Sequence, residues 1–445
     1  MTKITNDIMK EKGVMKMSQS RWATSEELKS KLSPISSGLK IEKSGIPMMY
    51  DEKSLYIKND GEQTLVIGTS GSGKTQSVIL PHLRLVIEAE ESFIFHDVKG
   101  EIYEVLSDKL KSKNYKTIVI DLDNTETGNS FNPLNYPYKL YMNNEKDKAV
   151  ELLENLGYYF CCEDRFDSSL DPFWNNSATS LFVGLSLYLF DNNPADKINL
   201  GNILNLVTEL DSLKEKIKKY DKLSPVYINL SNIILAPQET RGSIVSVFIQ
   251  KLKTLISRES LLKLLSTTDF DIENIKKEKT AMFIISKSKD ISNRLIPIIV
   301  EETYFAATNN YEKTDKRLSI LIDGFETLVP FKNFPKMLSN SRGFDINFSI
   351  YIRSLLELKN AYGKEKAELI KMLSGNIIYL LANDMDTLQE ISSLCGQTQT
   401  EKGIEPLITK EELKLLNNFE AIILIPRVYP IKTKLLPDYK IDWTI

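Results

Sequence analysis

The sequence predicts an α/β protein in which a mostly parallel sheet is interrupted by an inserted all-α domain. Three observations lead there: short apolar runs alternate with helical-period segments, a Gly-rich turn joins one such run to a helix, and strand signals vanish between residues 139 and 265. At 445 residues the chain can hold two or three packed units of about 150 residues each.

The first 60 residues are polar and read as a preamble packing on the core, with one helix start at Ala23-Thr24-Ser25-Glu26-Glu27-Leu28, where Thr24 or Ser25 can cap. Thr64-Leu65-Val66-Ile67 is an apolar strand followed at once by glycines, and residues 76–88 repeat apolar side chains at helical spacing. Ser92-Phe93-Ile94-Phe95 gives a second strand ending at His96-Asp97, residues 102–110 a helix, and residues 116–121 a third strand. Residues 146–160, 176–190 and 243–256 are the long helical stretches of the insertion. Strands then resume at residues 281–286, 319–323, 347–352, 376–381 and 421–425. The expected division is therefore 1–60 for the preamble, 61–138 with 266–445 for the α/β domain, and 139–265 for the all-α domain.

Composition excludes several classes. Hydrophobic residues at 42% and charged residues at 26% belong to an ordinary globular chain and not a disordered one. With 57 basic and 60 acidic side chains the net charge is −3, so any contact with DNA needs a local patch instead of a bulk positive field. Cys161, Cys162 and Cys395 have neither disulfide nor zinc spacing and read as packing residues of a reducing interior. Residues 1–17 lack the apolar core of a signal peptide, and the apolar stretch at 180–190 is shorter than the roughly 20 residues that span a bilayer. A cytoplasmic location is expected. The Lys-rich clusters at 214–222 and 276–279 read as solvated helix faces.

Gly68-Thr69-Ser70-Gly71-Ser72-Gly73-Lys74-Thr75 satisfies G-x-x-x-x-G-K-[ST] between a strand and a helix, the context that a phosphate-binding loop requires. The glycines let backbone N–H groups close round phosphate oxygens, Lys74 reaches the outer phosphates of ATP, and Thr75 offers a hydroxyl to Mg²⁺. Such a loop needs a second strand ending in an acid, and residues 318–323 supply Asp323 as that Walker B aspartate. A glutamate usually follows to polarise water; here Gly324 follows, and Glu326 is the candidate substitute. Arg342 precedes the next strand and is a candidate arginine finger; Arg353 follows that strand and reads equally as phosphate sensor or surface ion pair. Asp97-Val98-Lys99-Gly100-Glu101 closes a strand at the edge where α/β sheets bind ligands, while His82 and His96 read as structural.

With these landmarks in place the chain resembles the type IV secretion coupling proteins, the TraG/TraD group of conjugative DNA-transfer ATPases. The resemblance rests on Ser20-Arg21-Trp22-Ala23-Thr24, the phosphate loop, Asp97 to Glu101, Asp121-Leu122 and Ser130-Phe131-Asn132-Pro133-Leu134. It continues through Phe173-Trp174 with Ala178, Gln238-Glu239-Thr240 to Ser243, Tyr362-Gly363, and Ile391-Ser392 to Gly396-Gln397-Thr398. It implies a RecA-like nucleotide-binding domain with an all-α domain, ATP and Mg²⁺ held by Lys74, Thr75 and Asp323, and Arg342 acting across the interface of a homo-hexamer. It also implies relaxase and single-stranded DNA as substrate, with components of the secretion channel as partners.

Three features depart from the family. Transmembrane helices usually precede the Arg-Trp-Ala landmark, so a separate membrane-anchoring protein is expected to recruit this chain to the inner face of the membrane. The acid pair is reduced to Asp323-Gly324, and Arg353 stands where a glutamine is expected. Three functions stay open: a hydrolysing DNA translocase, an ATP-binding adaptor that docks protein cargo without hydrolysis, and a DNA-segregation pump unrelated to secretion.

Overall fold

The computed structural model describes residues 19–35, 41–51, 54–161, 172–287, 292–401 and 403–443. The signal-peptide reading of residues 1–17 and the packing role of Cys162 lie outside the described residues.

The strands are β1 (Ser33–Ile35), β2 (Ile46–Tyr50), β3 (Leu55–Lys58), β4 (Thr64–Gly68), β5 (Ser92–Asp97), β6 (Lys116–Asp121) and β7 (Thr280–Ile285). They continue with β8 (Leu318–Asp323), β9 (Ile346–Ile352), β10 (Asn376–Leu381), β11 (Gln397–Thr400), β12 (Gly403–Pro406), β13 (Glu420–Leu424) and β14 (Ile431–Lys434). A nine-stranded sheet has the order β14-β13-β10-β4-β9-β8-β5-β7-β6. From β10 to β6 every neighbouring pair is parallel, while β13 runs antiparallel to β10 and β14 antiparallel to β13. The predicted α/β class with a mostly parallel sheet is the observed one.

Helices cover both faces, which explains why the central strands read as unbroken apolar runs. Along each strand successive side chains still divide between two cores. Leu65, Ile94, Met282 and Ile320 join one, and Val66, Phe93, Phe283 and Leu321 join the other. The first of these cores runs on without a break into the helical insertion through Leu181, Phe182 and Phe248.

Helices α1 (Ser25–Lys29), α2 (Leu80–Glu88) and α3 (Glu101–Ser112) precede the insertion. Thr24, not Ser25, caps α1: its hydroxyl accepts the Glu27 N–H, and the Glu27 carboxylate accepts the Thr24 N–H in return. Between β6 and β7 the described chain is helical: α4 (Asn135–Met142), α5 (Lys146–Cys161), α6 (Pro172–Asn192), α7 (Leu200–Thr208), α8 (Leu210–Ile217), α9 (Pro225–Ile234), α10 (Gln238–Ile256) and α11 (Glu259–Leu264). The apolar stretch of the sequence is α6, buried among its neighbours from Leu181 to Phe190. No helix among the described residues is long and apolar enough to cross a membrane.

The return to the sheet is tied by one side chain. Asn132 is buried, accepts the Leu134 N–H at 3.0 Å, and donates to the Ile198 carbonyl at 2.6 Å and the Ser266 carbonyl at 3.3 Å. After β7 come α12 (Ser292–Asn309), α13 (Phe334–Asn340), α14 (Leu355–Tyr362), α15 (Lys364–Leu373), α16 (Met385–Cys395) and α17 (Lys410–Lys414).

Two expectations need correction. The polar preamble hides a three-stranded antiparallel sheet, β1-β3-β2, whose Leu55 and Ile57 pack with Leu85 of α2. Of the cluster at 276–279, Lys276 is buried and not solvated: its ammonium donates to the Phe344 carbonyl and lies 4.4 Å from the centre of the Tyr311 ring. Burial pushes that ammonium down to about 8.

Candidate nucleotide site

The site forms where β4, β9 and β8 end side by side. The register sets Ile67 against Ile352 and Asp323 against Tyr351. The loop after β4, Arg353 after β9 and the turn after β8 therefore meet at one sheet edge, where the chain crosses from β4 past two strands to β5. They enclose a cavity of about 640 Å³. Thr69, Ser70, Gly71, Gly73, Lys74 and Thr75 line it on one side, and Asp323, Glu326 and Arg353 on the other.

Gly68 and Ser72 complete the loop without facing the cavity. The Ser72 hydroxyl is buried with no partner. Gly71 and Gly73 adopt φ of +80° and +92°, a region that favours glycine, and the turn closes with the Ser72 N–H donating to the Thr69 carbonyl at 3.1 Å. A Cβ at Gly73 would also stand 3.0 Å from the Phe419 ring. Lys74 curls back and donates to the Gly68 carbonyl and, at 3.3 Å, to the Thr69 carbonyl. Burial pushes its ammonium down, against the opposing pull of Asp323 and Glu326.

The loop enters α2 through a π turn, Thr75–Ile79, in which the Leu80 N–H reaches the Thr75 carbonyl. Pro81, in the first turn of α2, has no N–H to offer the Ser77 carbonyl.

Asp323 ends β8. Burial pushes its carboxyl up while the Lys74 charge pulls it down, and it accepts the Gly324 N–H at 3.0 Å. Oxygen donors from Thr75 and Asp323 on one cavity suit a hard cation such as Mg²⁺, which takes one or two carboxylates and fills its other positions with phosphate and water. No group of three or more acidic, His or Cys ligands exists among the described residues.

Gly324, at φ +65°, turns the chain into the short helix Phe325–Thr327 and so carries Glu326 to the cavity. Its side chain is 1% exposed. One carboxylate oxygen accepts the Arg353 backbone N–H at 3.2 Å and sits 3.2 Å from the Arg353 Nε; the other is buried with no partner. Burial pushes Glu326 up to about 7, against the pull of Arg353. The Arg353 guanidinium, 41% exposed, also approaches Glu357 at 3.9 Å.

Arg342 lies elsewhere. It sits in the turn Ser341–Phe344 before β9, at the opposite sheet edge, 64% exposed and paired with Glu62 at 3.0 Å. The seven residues of β9, about 20 Å of strand, separate it from the cavity of its own chain.

Asp97 caps α3 with both oxygens, accepting the Gly100 and Ile102 N–H groups at 2.9 Å and the Lys99 and Tyr103 N–H groups at 3.3 and 3.1 Å. Asp97 itself also borders the cavity, with Val98, Lys99 and Glu101.

The sequence reading underrated His96. Its Nδ1 donates to the Asp323 carbonyl at 2.7 Å, which leaves Nε2 as a buried lone pair without a partner beside the cavity. Burial holds the ring neutral, down to about 4. The sequence signal was available, because His96 ends a strand at the ligand-binding edge. His82 is buried away from this cavity, as are Cys161 and Cys395.

Residues 21–404 match the family described as type IV secretory system conjugative DNA transfer. No curated protein matches the sequence significantly. Among solved structures, the bacterial conjugative coupling protein TrwBdeltaN70 in unbound form is 14% identical, with a TM-score of 0.67 over 94% of this chain and 93% of that one. Plasmid coupling protein TrwB in complex with ADP and Mg²⁺ is 15% identical, with a TM-score of 0.68 over 94% of each chain. VirB4 of Thermoanaerobacter pseudethanolicus is 12% identical, with a TM-score of 0.56 over 91% of this chain and 98% of that one. At such identities the likeness concerns the fold, a RecA-like sheet with a helical insertion.

Proposed function

The chain belongs to the type IV secretory system conjugative DNA transfer family, and from that premise we propose that it binds Mg-ATP and couples a relaxase with its single-stranded DNA to the transfer channel, as a hexameric translocase. The observation that carries this reading is one cavity gathering Lys74, Thr75, Asp323, Glu326 and Arg353 from adjacent strand ends. TrwB, of like fold, is described in complex with ADP and Mg²⁺.

In this account residues 61–138 and 266–445 form the nucleotide-binding domain, 139–265 the all-α domain that receives substrate, and 1–60 a preamble on the core. A separate membrane-anchoring protein recruits the assembly to the inner face of the membrane.

The residues divide the work. The backbone of Gly68 to Gly73 and the Lys74 ammonium hold the phosphates, Lys74 exchanging its contacts with the loop carbonyls for phosphate oxygens. Thr75 and Asp323 hold Mg²⁺, which when bound neutralises charge on the outer phosphates. Glu326 accepts a proton from the attacking water, a role that requires its carboxylate to be ionised. Arg353 draws charge from the terminal phosphate, and Arg342 reaches the site of the next subunit, which its place at the far sheet edge favours over action within its own chain.

The pairing of Glu326 with Arg353 favours a second reading, a nucleotide-ordered adaptor in which that carboxylate never meets water. Glu326→Gln separates them when Mg-ATP binding and turnover are measured together. In the motor, affinity stays within about threefold while turnover falls at least about 100-fold, the scale of general-base loss. In the adaptor, neither protein turns over ATP.

A further inference from the structure

A second cleft, of about 240 Å³, opens between α5, α12 and α13, apart from the nucleotide cavity. It exceeds the roughly 150 Å³ that accommodates a benzene ring. Its floor is apolar, built from Leu152, Ile298, Phe305 and Met337.

One wall is acidic, and unusually so for its burial. Glu301 and Glu302, adjacent on α12, line the cleft while only 9% and 4% exposed. One oxygen of Glu301 and both oxygens of Glu302 accept no hydrogen bond. The Tyr159 hydroxyl and the Asn333 N–H approach Glu301, and the Tyr136 N–H approaches Glu302, without satisfying those three oxygens. A buried acceptor left unpaired costs about 1–3 kcal/mol, more if charged, so a wall of this kind is expensive to keep empty. The Lys332 charge pulls against burial at Glu301, but its ammonium is bound to Asn155 at 2.9 Å; Lys336 is exposed at the rim, and no ion pair to Glu301 or Glu302 forms among the described residues. Glu151 adds a third acid at the mouth.

We propose that this cleft is a binding site for a small organic ammonium ligand, its cationic head against Glu301 and Glu302 and its apolar body on the floor below. Burial raises both carboxyl groups, Glu301 up to about 7, and an ammonium placed against them would favour their ionised form. The chemistry explains both halves of the lining. A neutral ligand would leave the acid wall unmatched, and a hydrated inorganic cation would leave the apolar floor unused. Because the cleft shares no lining residue with the nucleotide cavity, the inference does not depend on the role assigned to that cavity.

The test uses the purified full chain with phenethylamine as probe and 2-phenylethanol as its neutral isostere, read by saturation-transfer NMR titration at pH 8. Phenethylamine should bind saturably below about 1 mM, and the alcohol at least about tenfold more weakly, as one charge-assisted contact requires. Glu301→Gln with Glu302→Gln should erase the difference. Asn155→Trp, placed at the half-buried rim, should block the amine while leaving the fold intact. Equal binding of amine and alcohol to the parent protein, no saturation by about 10 mM, or undiminished amine binding to Asn155→Trp would overturn the proposal. The comparison on the parent protein stands even where the double variant fails to fold.

Discussion

A carboxyl buried as deeply as that of Glu326 changes what pH does to its site. With the group pushed up to about 7, its ionised fraction grows across neutrality, and a water-activating carboxylate must be ionised. Turnover should therefore climb between about pH 6 and 8, and Glu326→Gln should flatten that limb as well as lower it. The sign for stability is the reverse: the folded state holds this proton more tightly than the unfolded chain, so the group's contribution is present below pH about 4.5 and is lost as pH rises to about 7. Lys74→Ala removes a charge-assisted contact to phosphate and should weaken Mg-ATP binding about 30-fold or more, measured by equilibrium titration. The loop motif and Asp323 were legible in the sequence because both depend on local pattern, an apolar strand followed by fixed residue types. What His96 and Lys276 touch was not. Their partners, the Asp323 and Phe344 carbonyls, are 227 and 68 residues away along the chain, and no periodicity reports a contact at that range.

Among the elements, the central parallel strands were readable because burial on both faces leaves unbroken runs such as Ala-Met-Phe-Ile-Ile in β7. The polar β11 and the short β14 at the sheet edge carry no such run, and neither does the small sheet of the preamble. Strand order was beyond reach, since it depends on which crossovers skip strands and not on the strands themselves. The π turn after the phosphate loop is set by a backbone bond from the Leu80 N–H to the Thr75 carbonyl, which no side-chain pattern reports. Asn132 is where an element-scale prediction is sharpest, because its amide joins the turn after β6 to the helices beyond. Asn132→Ala strands the buried Ile198 carbonyl and should cost about 1–3 kcal/mol, seen as a lower midpoint in urea unfolding with nucleotide affinity unchanged.

For the whole molecule, the proposed action of Arg342 on a neighbouring subunit, from a position remote from the cavity of its own chain, predicts that activity depends on assembly. Lys74→Ala and Arg342→Ala proteins, each inactive alone, should recover turnover when mixed before assembly, since some interfaces then join an intact loop to an intact arginine. Action of Arg342 within one chain would give no recovery. The central claim is that this family member is a working motor despite Gly324 in the place of the usual glutamate. Steady-state ATP turnover by the purified chain, with and without single-stranded DNA, tests it most directly. The account predicts turnover that single-stranded DNA stimulates and Lys74→Ala abolishes. Mg-ATP binding without turnover, with DNA present or absent, would contradict it and make the chain an adaptor driven by another ATPase.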